Sequence, residues 1–292
     1  MPSSRTDQLS LHGIMLLFGL TAILGKLMTI SALLVVCYRT LIASVFLAFI
    51  YFGAKKHHIN RASIFPLMLV GSVLGLHWIC FFGSARMSTV SLSLVTFSTT
   101  SFFTSILEPL SKKVPISKKE LFLGVLVVFG MALIFNFERG HALAILVGLF
   151  GAFLSSVYSV ANVNLAKKHS AVSINFFELF GAFLFSLILI IGLHFYEPQT
   201  IIPQKLDFVY LGILAILCTV LPYLVLIKLL RKLSAFSVNL VFNMEPIYGI
   251  FLAWIIFGKA EKMTTGFYAG AALIVLSLVL NFIWTQKKPS HF

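Results

Sequence analysis

Residues 234–258 read SAFSVNLVFNMEPIYGIFLAWIIFG. A helix needs about 20 predominantly apolar residues to cross a hydrocarbon core of about 30 Å, and this stretch supplies them. Yet its middle holds Asn239, Asn243, Glu245 and Pro246. A charge at the bilayer centre costs about 2.5–3.5 kcal/mol on insertion scales. Proline removes a backbone donor and frees a carbonyl one turn earlier. A spanning helix that keeps such residues at its centre has protein or water beside them there, not lipid alone.

Working outward, apolar runs of spanning length recur at 10–28, 31–53, 63–84, 88–110, 118–136, 142–165, 171–195, 206–228, 234–257 and 264–285. Only helices or closed barrels span lipid, and uninterrupted runs of this length are helices. Ten such spans leave about 80 residues for every loop and tail, so no soluble domain fits beside them. The chain is 59% hydrophobic and 11% charged, where a soluble domain sits near one half and one quarter. Its mean hydropathy is +1.02. The leading run resembles a signal peptide in place only: it is long, no A-x-A site follows, and further spans come after it. It reads as a retained first span.

The formal net charge of +13 would point to nucleic acid in a soluble protein. Here the basic residues sit in short clusters between apolar runs, as orientation signals do. With the N-terminus cytoplasmic, the inner segments carry 15 Lys and Arg and the outer ones 5, so both termini are expected inside. No zinc spacing or RNA-binding motif supports a nucleic-acid partner. Cys37, Cys80 and Cys218 are scattered through apolar runs and read as small buried hydrophobes. No G-x-S-x-G, H-E-x-x-H, Walker A or well-placed G-x-G-x-x-G motif is present, so neither an enzyme nor a cofactor is expected, and ATP has no direct site.

The two halves echo each other. An offset of 146 residues lays Ser88 on Ser234, Leu94 on Leu240, Val95 on Val241 and Gly124 on Gly270. A slightly different offset lays SALLVVCYRTLIA on SAVSINFFELFGA, and with it Arg39 on Glu178. Five spans per half is an odd number, so the second copy enters the membrane inverted. The expected architecture is all-α: ten transmembrane helices as two inverted five-helix repeats, 1–140 and 141–292, with a midplane site at the repeat interface.

Three segments carry a resemblance to a known family: RTLIA at 39–43, LHWICFFGSARMSTVSLSLV at 76–95, and the block at 233–280 with Pro246, the FGKAEKMT hairpin and Gly270. With the five-plus-five layout, they resemble the EamA-type transporters of the drug/metabolite transporter superfamily over nearly the whole chain. That resemblance implies a bacterial inner-membrane carrier with a central cavity between the halves, often an exporter of amino acids or other small metabolites. One departure is Thr100, which stands where the second half has Pro246 and many relatives keep a proline; a kink in the fourth span is therefore left open.

Several in-membrane polar residues are candidates for substrate binding or coupling. Glu245 would bind a proton or a substrate amine, or else tie its span to a neighbour. Pro246 would act as a hinge. Asn239, Asn243 and Pro246 share a helical face at i, i+4, i+7. Arg39 and Glu178 would lie near each other or line one cavity; the alternative is that Arg39 snorkels to the interface. His77, beside Trp78, would relay protons or bind a carboxylate, or else bond a neighbouring helix. Thr96 and Thr100 belong to a hydroxyl stripe that either lines a wet cavity or bonds its own backbone. Tyr158 and Asn162 extend from Ser155 as a polar stripe on the sixth span. Glu108 reads as solvated at the cytoplasmic end. Gly71 to Gly75 and Gly266 to Gly270 are small-xxx-small packing pairs.

The expected function is secondary transport by alternating access, with the wall built from spans 3, 4, 6, 7 and 9. The expected partners are a small-molecule substrate, the lipid bilayer and protons; the oligomeric state stays open, with a monomer sufficient. A channel-like facilitator without proton coupling, an intramembrane lipid-modifying enzyme and a non-transporting scaffold are the alternatives.

Overall fold

The computed structural model describes residues 5–53, 59–194 and 202–286, and all regular structure among them is helical. Eight stretches are long and apolar enough to cross a membrane: Ala32–Gly53, Arg61–Met87, Val90–Lys112, Lys118–Phe137, Arg139–Lys168, Ala171–Leu193, Lys205–Leu230 and Ala235–Glu261. The runs expected at 10–28 and 264–285 correspond to two shorter apolar helices, Gly13–Leu27 and Thr265–Asn281. The chain is an all-helical, multi-pass membrane protein. Lys55, Lys56, Lys287 and Lys288, which were counted for orientation, lie outside the described residues.

Thirteen α-helices build these stretches among the described residues: α1 (Arg5–Leu27), α2 (Ala32–Gly53), α3 (Ile64–Met87), α4 (Val90–Phe97), α5 (Thr100–Lys112), α6 (Lys118–Phe137), α7 (Ala142–Lys168), α8 (Ala171–His194), α9 (Lys205–Ala215), α10 (Leu221–Leu230), α11 (Ala235–Phe242), α12 (Glu245–Phe257) and α13 (Thr265–Gln286). Large apolar side chains such as Phe49, Phe65, Phe129 and Trp254 remain exposed. In lipid that exposure is the ordinary state of an outer face.

Two spans are broken in the middle, within one residue of the same 146-residue offset. The first breaks at Ser98–Thr99, between α4 and α5; the second at Asn243–Met244, between α11 and α12. The second break precedes Pro246, which sits in the first turn of α12, where its missing N–H has no helical partner to lose. The expected bent helix is therefore two helices. The first break needs no proline. The hydroxyls of Thr99, Thr100 and Ser101 bond back to the carbonyls of Thr96, Phe97 and Ser98 at 2.7, 2.7 and 3.0 Å, and such back-bonding bends helices. A third interruption, a π-turn at Ile216–Val220, joins α9 to α10.

Close packing is set by glycine. A Cβ at Gly71 would run into the backbone of Glu178, and one at Gly181 into the backbone of Met68, so α3 and α8 pack backbone to backbone. Gly130 and Gly270 seat α6 on α13 in the same way. Both expected glycine pairs thus mark helix contacts. Small residues let backbones approach where hydrophobic expulsion from water cannot drive association.

Candidate functional site

A polar cavity lies where α1, α2, α3, α4, α7, α10, α11 and α12 converge. It holds about 30 Å³ of free space, room for a water or two. Five of the expected site residues come together on its wall: Arg39, His77, Trp78, Tyr158 and Glu245.

Arg39 is 1% exposed and does not snorkel to an interface. Its Nε donates to Thr219 Oγ1 at 2.6 Å, and Nη2 donates to the Cys218 carbonyl at 3.2 Å. Both acceptors belong to the π-turn. Thr219 in turn donates its hydroxyl to the Leu214 carbonyl five residues back, at 2.6 Å, so its oxygen is oriented to accept from Arg39. The guanidinium lies over the Trp78 ring, 3.8 Å from its centroid, a geometry that attracts a desolvated cation by about 2 kcal/mol. Arg39 Nη1 has no hydrogen-bond partner. Leaving a buried charged donor unmatched costs about 1–3 kcal/mol or more.

Glu245 faces the same cavity from the first turn of α12, 3% exposed. Among the described residues no group hydrogen-bonds its carboxylate, and it lies within electrostatic reach of Arg39 without forming an ion pair. His77 Nδ1 sits 2.8 Å from the Gly151 carbonyl. A carbonyl only accepts, so Nδ1 carries the proton and the other ring nitrogen is the acceptor in the neutral ring. The His77 ring packs on Phe97, centroids 5.2 Å apart.

The remaining candidates stand behind this wall. Glu178 does not pair with Arg39. It accepts from Tyr158 Oη at 2.9 Å, and its other oxygen has no partner. Asn162 donates to the Tyr158 carbonyl at 3.2 Å. Tyr158 thus separates Glu178 from the cavity, and the seventh span supplies the layer behind the wall. Asn239 donates to Thr104 at 2.8 Å and accepts from Ser159 at 3.1 Å, while Asn243 donates to Ser101 at 3.2 Å. Both asparagines hold α11 and its end against α5. The Thr96 hydroxyl bonds its own helix at the Ser93 carbonyl, and the Thr100 hydroxyl bonds back across the break to the Phe97 carbonyl of α4.

Asn243 and Pro246 border a larger cleft of about 520 Å³ beside α12 and α13, otherwise mostly apolar. Exposed Phe251 and Trp254 lie on its wall, which marks it as a lipid-side groove despite its size.

Sequence reasoning missed Thr219, Tyr223, Phe18 and Thr21. Tyr223 packs edge-on against Trp78 at 5.4 Å and Phe18 at 5.6 Å, tying α1, α3 and α10 around the site. A signal existed for Thr219: a buried arginine needs acceptors. The π-turn that presents them had none.

Glu108 is a second correction. It is 4% exposed, not solvated. It accepts from the Phe236 N–H at 2.7 Å, at the start of α11, and pairs with Lys112 at 2.6 Å. Glu261 mirrors it, accepting from the Val90 and Ser91 N–H groups at 3.0 and 2.9 Å, at the start of α4. Val90 and Phe236 are separated by the same offset of 146.

A solved protein structure superposes on 98% of this chain and 100% of its own length with a TM-score of 0.71 at 14% identity, which shows a shared fold. An uncharacterized transporter of Bacillus subtilis (strain 168), YdfC, is 25% identical over 170 residues, 58% of this chain; the chain spans about half the length of that relative, 53%. The profile of the EamA-like transporter family matches residues 9–136 and again 142–283. Matched over nearly its whole length, this membrane protein belongs to the EamA-like transporter family.

Proposed function

We propose that the protein is a secondary carrier that moves amino acids or related small metabolites out across the bacterial inner membrane. It alternates access between two inverted five-helix halves, 1–140 and 141–292, with both termini cytoplasmic. The observation that carries this reading is the cavity itself. Its wall draws α1–α4 from one half and α7 and α10–α12 from the other, and it holds two opposite charges that do not pair. Opposite charges held apart in a buried site stay available to a cargo.

The two separate family matches, split between 136 and 142, support the repeat. So does the packing. α6 with α13, and α2 with α8, are pairs that an inverted repeat maps onto themselves; α1 with α12 and α7 with α5 are pairs that it exchanges. The paired breaks and the paired glutamate caps follow the same rule. Glu245 carries the coupling: it takes a proton or a substrate amine, and the two compete for one carboxylate.

Proteoliposomes loaded with a mixed pool of amino acids and metabolites test the reading. Selective efflux, accelerated by an inward proton gradient and reduced on the order of 100-fold or more in Glu245→Gln, is expected from loss of a buried charged partner. Efflux indifferent to the gradient and to the variant would make the protein a facilitator. No efflux of any compound would sink the carrier reading.

A further inference from the structure

Resting on the reading of this cavity as the cargo site, we infer that Arg39 is its anion receptor and that the cargo is recognised through a carboxylate taken by Arg39 Nη1. The guanidinium has two of its three nitrogens committed. Nε is held by Thr219 and Nη2 by the Cys218 carbonyl, and its face is held by Trp78. These fix the fork so that the one uncommitted nitrogen, Nη1, keeps its N–H groups unpaired on a cavity wall. The ion pairs among the described residues are Lys26–Glu261 and Lys112–Glu108, so no described carboxylate forms an ion pair with Arg39. A buried arginine anchored on three sides, with Nη1 unpaired though enclosed in this state, is a preorganised receptor for a planar anion once the cavity opens.

The choice of carboxylate over phosphate follows from charge and size. Arg39 is the one cation on this wall among the described residues, and Glu245 stands on the same wall. A dianion would meet at most one positive charge with a carboxylate nearby. A monoanionic carboxylate matches one guanidinium nitrogen and leaves Glu245 free. Phe81, Phe97 and Trp78 supply an aromatic surface for the rest of the molecule. With about 30 Å³ free, the present state admits water only, so cargo enters when the halves part.

Trp78 gives the readout. The chain has three tryptophans, so Trp254→Phe with Trp284→Phe leaves Trp78 alone to report on a ligand at Arg39. The probes are 3-phenylpropanoate, 3-phenylpropanamide, phenethylamine and phenyl phosphate, titrated against the protein in nanodiscs. The acid is expected to change Trp78 fluorescence saturably, with the amide, the amine and the phosphate each weaker by roughly tenfold or more. Arg39→Gln should bring the acid down to the level of the amide. If that variant does not fold, Thr219→Ala, which releases Nε, should weaken the acid and leave the amide unchanged. An amide that binds as well as the acid, a phosphate that binds better, or four silent probes would overturn the inference. Flux of the same compounds keeps the two readings apart. Acid binding without transport refutes the carrier and leaves the receptor. Transport that ignores the carboxylate and Arg39 refutes the receptor and leaves the carrier.

Discussion

Glu261 gathers four donors on two oxygens: the Val90 and Ser91 N–H groups, the Ser91 hydroxyl at 2.7 Å and Lys26 at 3.2 Å. Its side chain is fully buried. An anion at a helix N-terminus meets unsatisfied N–H groups and the positive end of the dipole together. Removing it strands two backbone donors and leaves a mostly buried lysine ammonium without its counter-charge, held by a hydrogen bond to the Ser88 carbonyl. Glu261→Ala is therefore expected to cost about 3–5 kcal/mol, the range for breaking a buried ion pair. Glu108→Ala strands only the Phe236 N–H, because Lys112 is 41% exposed and returns to water. That variant should cost about 1–2 kcal/mol. Unfolding of both proteins in one detergent ranks them, and a Glu108→Ala protein less stable than Glu261→Ala would contradict the bond count. Neither role was legible in sequence. A glutamate beside a loop reads as solvated, and only the fold brings a distant helix start to it.

At the scale of helices, glycine spacing was legible, and of the two mid-span breaks only the one marked by Pro246 was. Gly71 and Gly75 announced a close contact because only small residues let two backbones touch in lipid. α3 offers its own control. A Cβ at Gly71 meets the α8 backbone, whereas at Gly83 its nearest neighbour is a Val147 methyl carbon 4.0 Å away. Gly71→Ala should destabilise by about 1–3 kcal/mol through overpacking. Gly83→Ala should be neutral or gain up to about 1 kcal/mol from helix propensity. Equal melting temperatures for the two variants would mean that α3 and α8 are not in backbone contact. The break at Asn243–Met244 lies beside Pro246, the expected hinge; the one at Ser98–Thr99 resisted sequence reading for a physical reason. Serine and threonine serve equally as close-packing surfaces, cavity linings and helix benders, and composition does not choose among these. The same ambiguity hid the site's shape. Arg39, His77, Trp78, Tyr158 and Glu245 announced themselves as polar or aromatic groups in apolar runs. Whether Asn239 or Glu178 stood in the wall or behind it depended on helix rotation, which an unpatterned, all-round apolar helix does not encode.

For the whole molecule, the proposed alternating access would make gates of the two glutamate caps. Glu261 belongs to the second half and caps α4 of the first; Glu108 belongs to the first half and caps α11 of the second. Under the proposed topology the fourth span starts outside and the ninth starts inside, so the caps close opposite faces. Both are made in this structure, where the cavity between the halves has room only for water. Rocking the halves would break one cap while keeping the other, and each break would present a carboxylate and free N–H groups to water, which re-solvates them at little net cost. Releasing one cap by mutation should therefore bias access to one face. A reporter is available in Ser155, which lines the cavity. With Cys37, Cys80 and Cys218 replaced and Ser155→Cys introduced, a membrane-impermeant maleimide applied to the outside of cells should label Glu261→Gln severalfold faster than the parent. Glu108→Gln should label no faster, or slower. In inside-out vesicles the order should reverse. Equal labelling from both faces in both variants would show that the caps hold helices together without governing access, and alternation would then need another hinge.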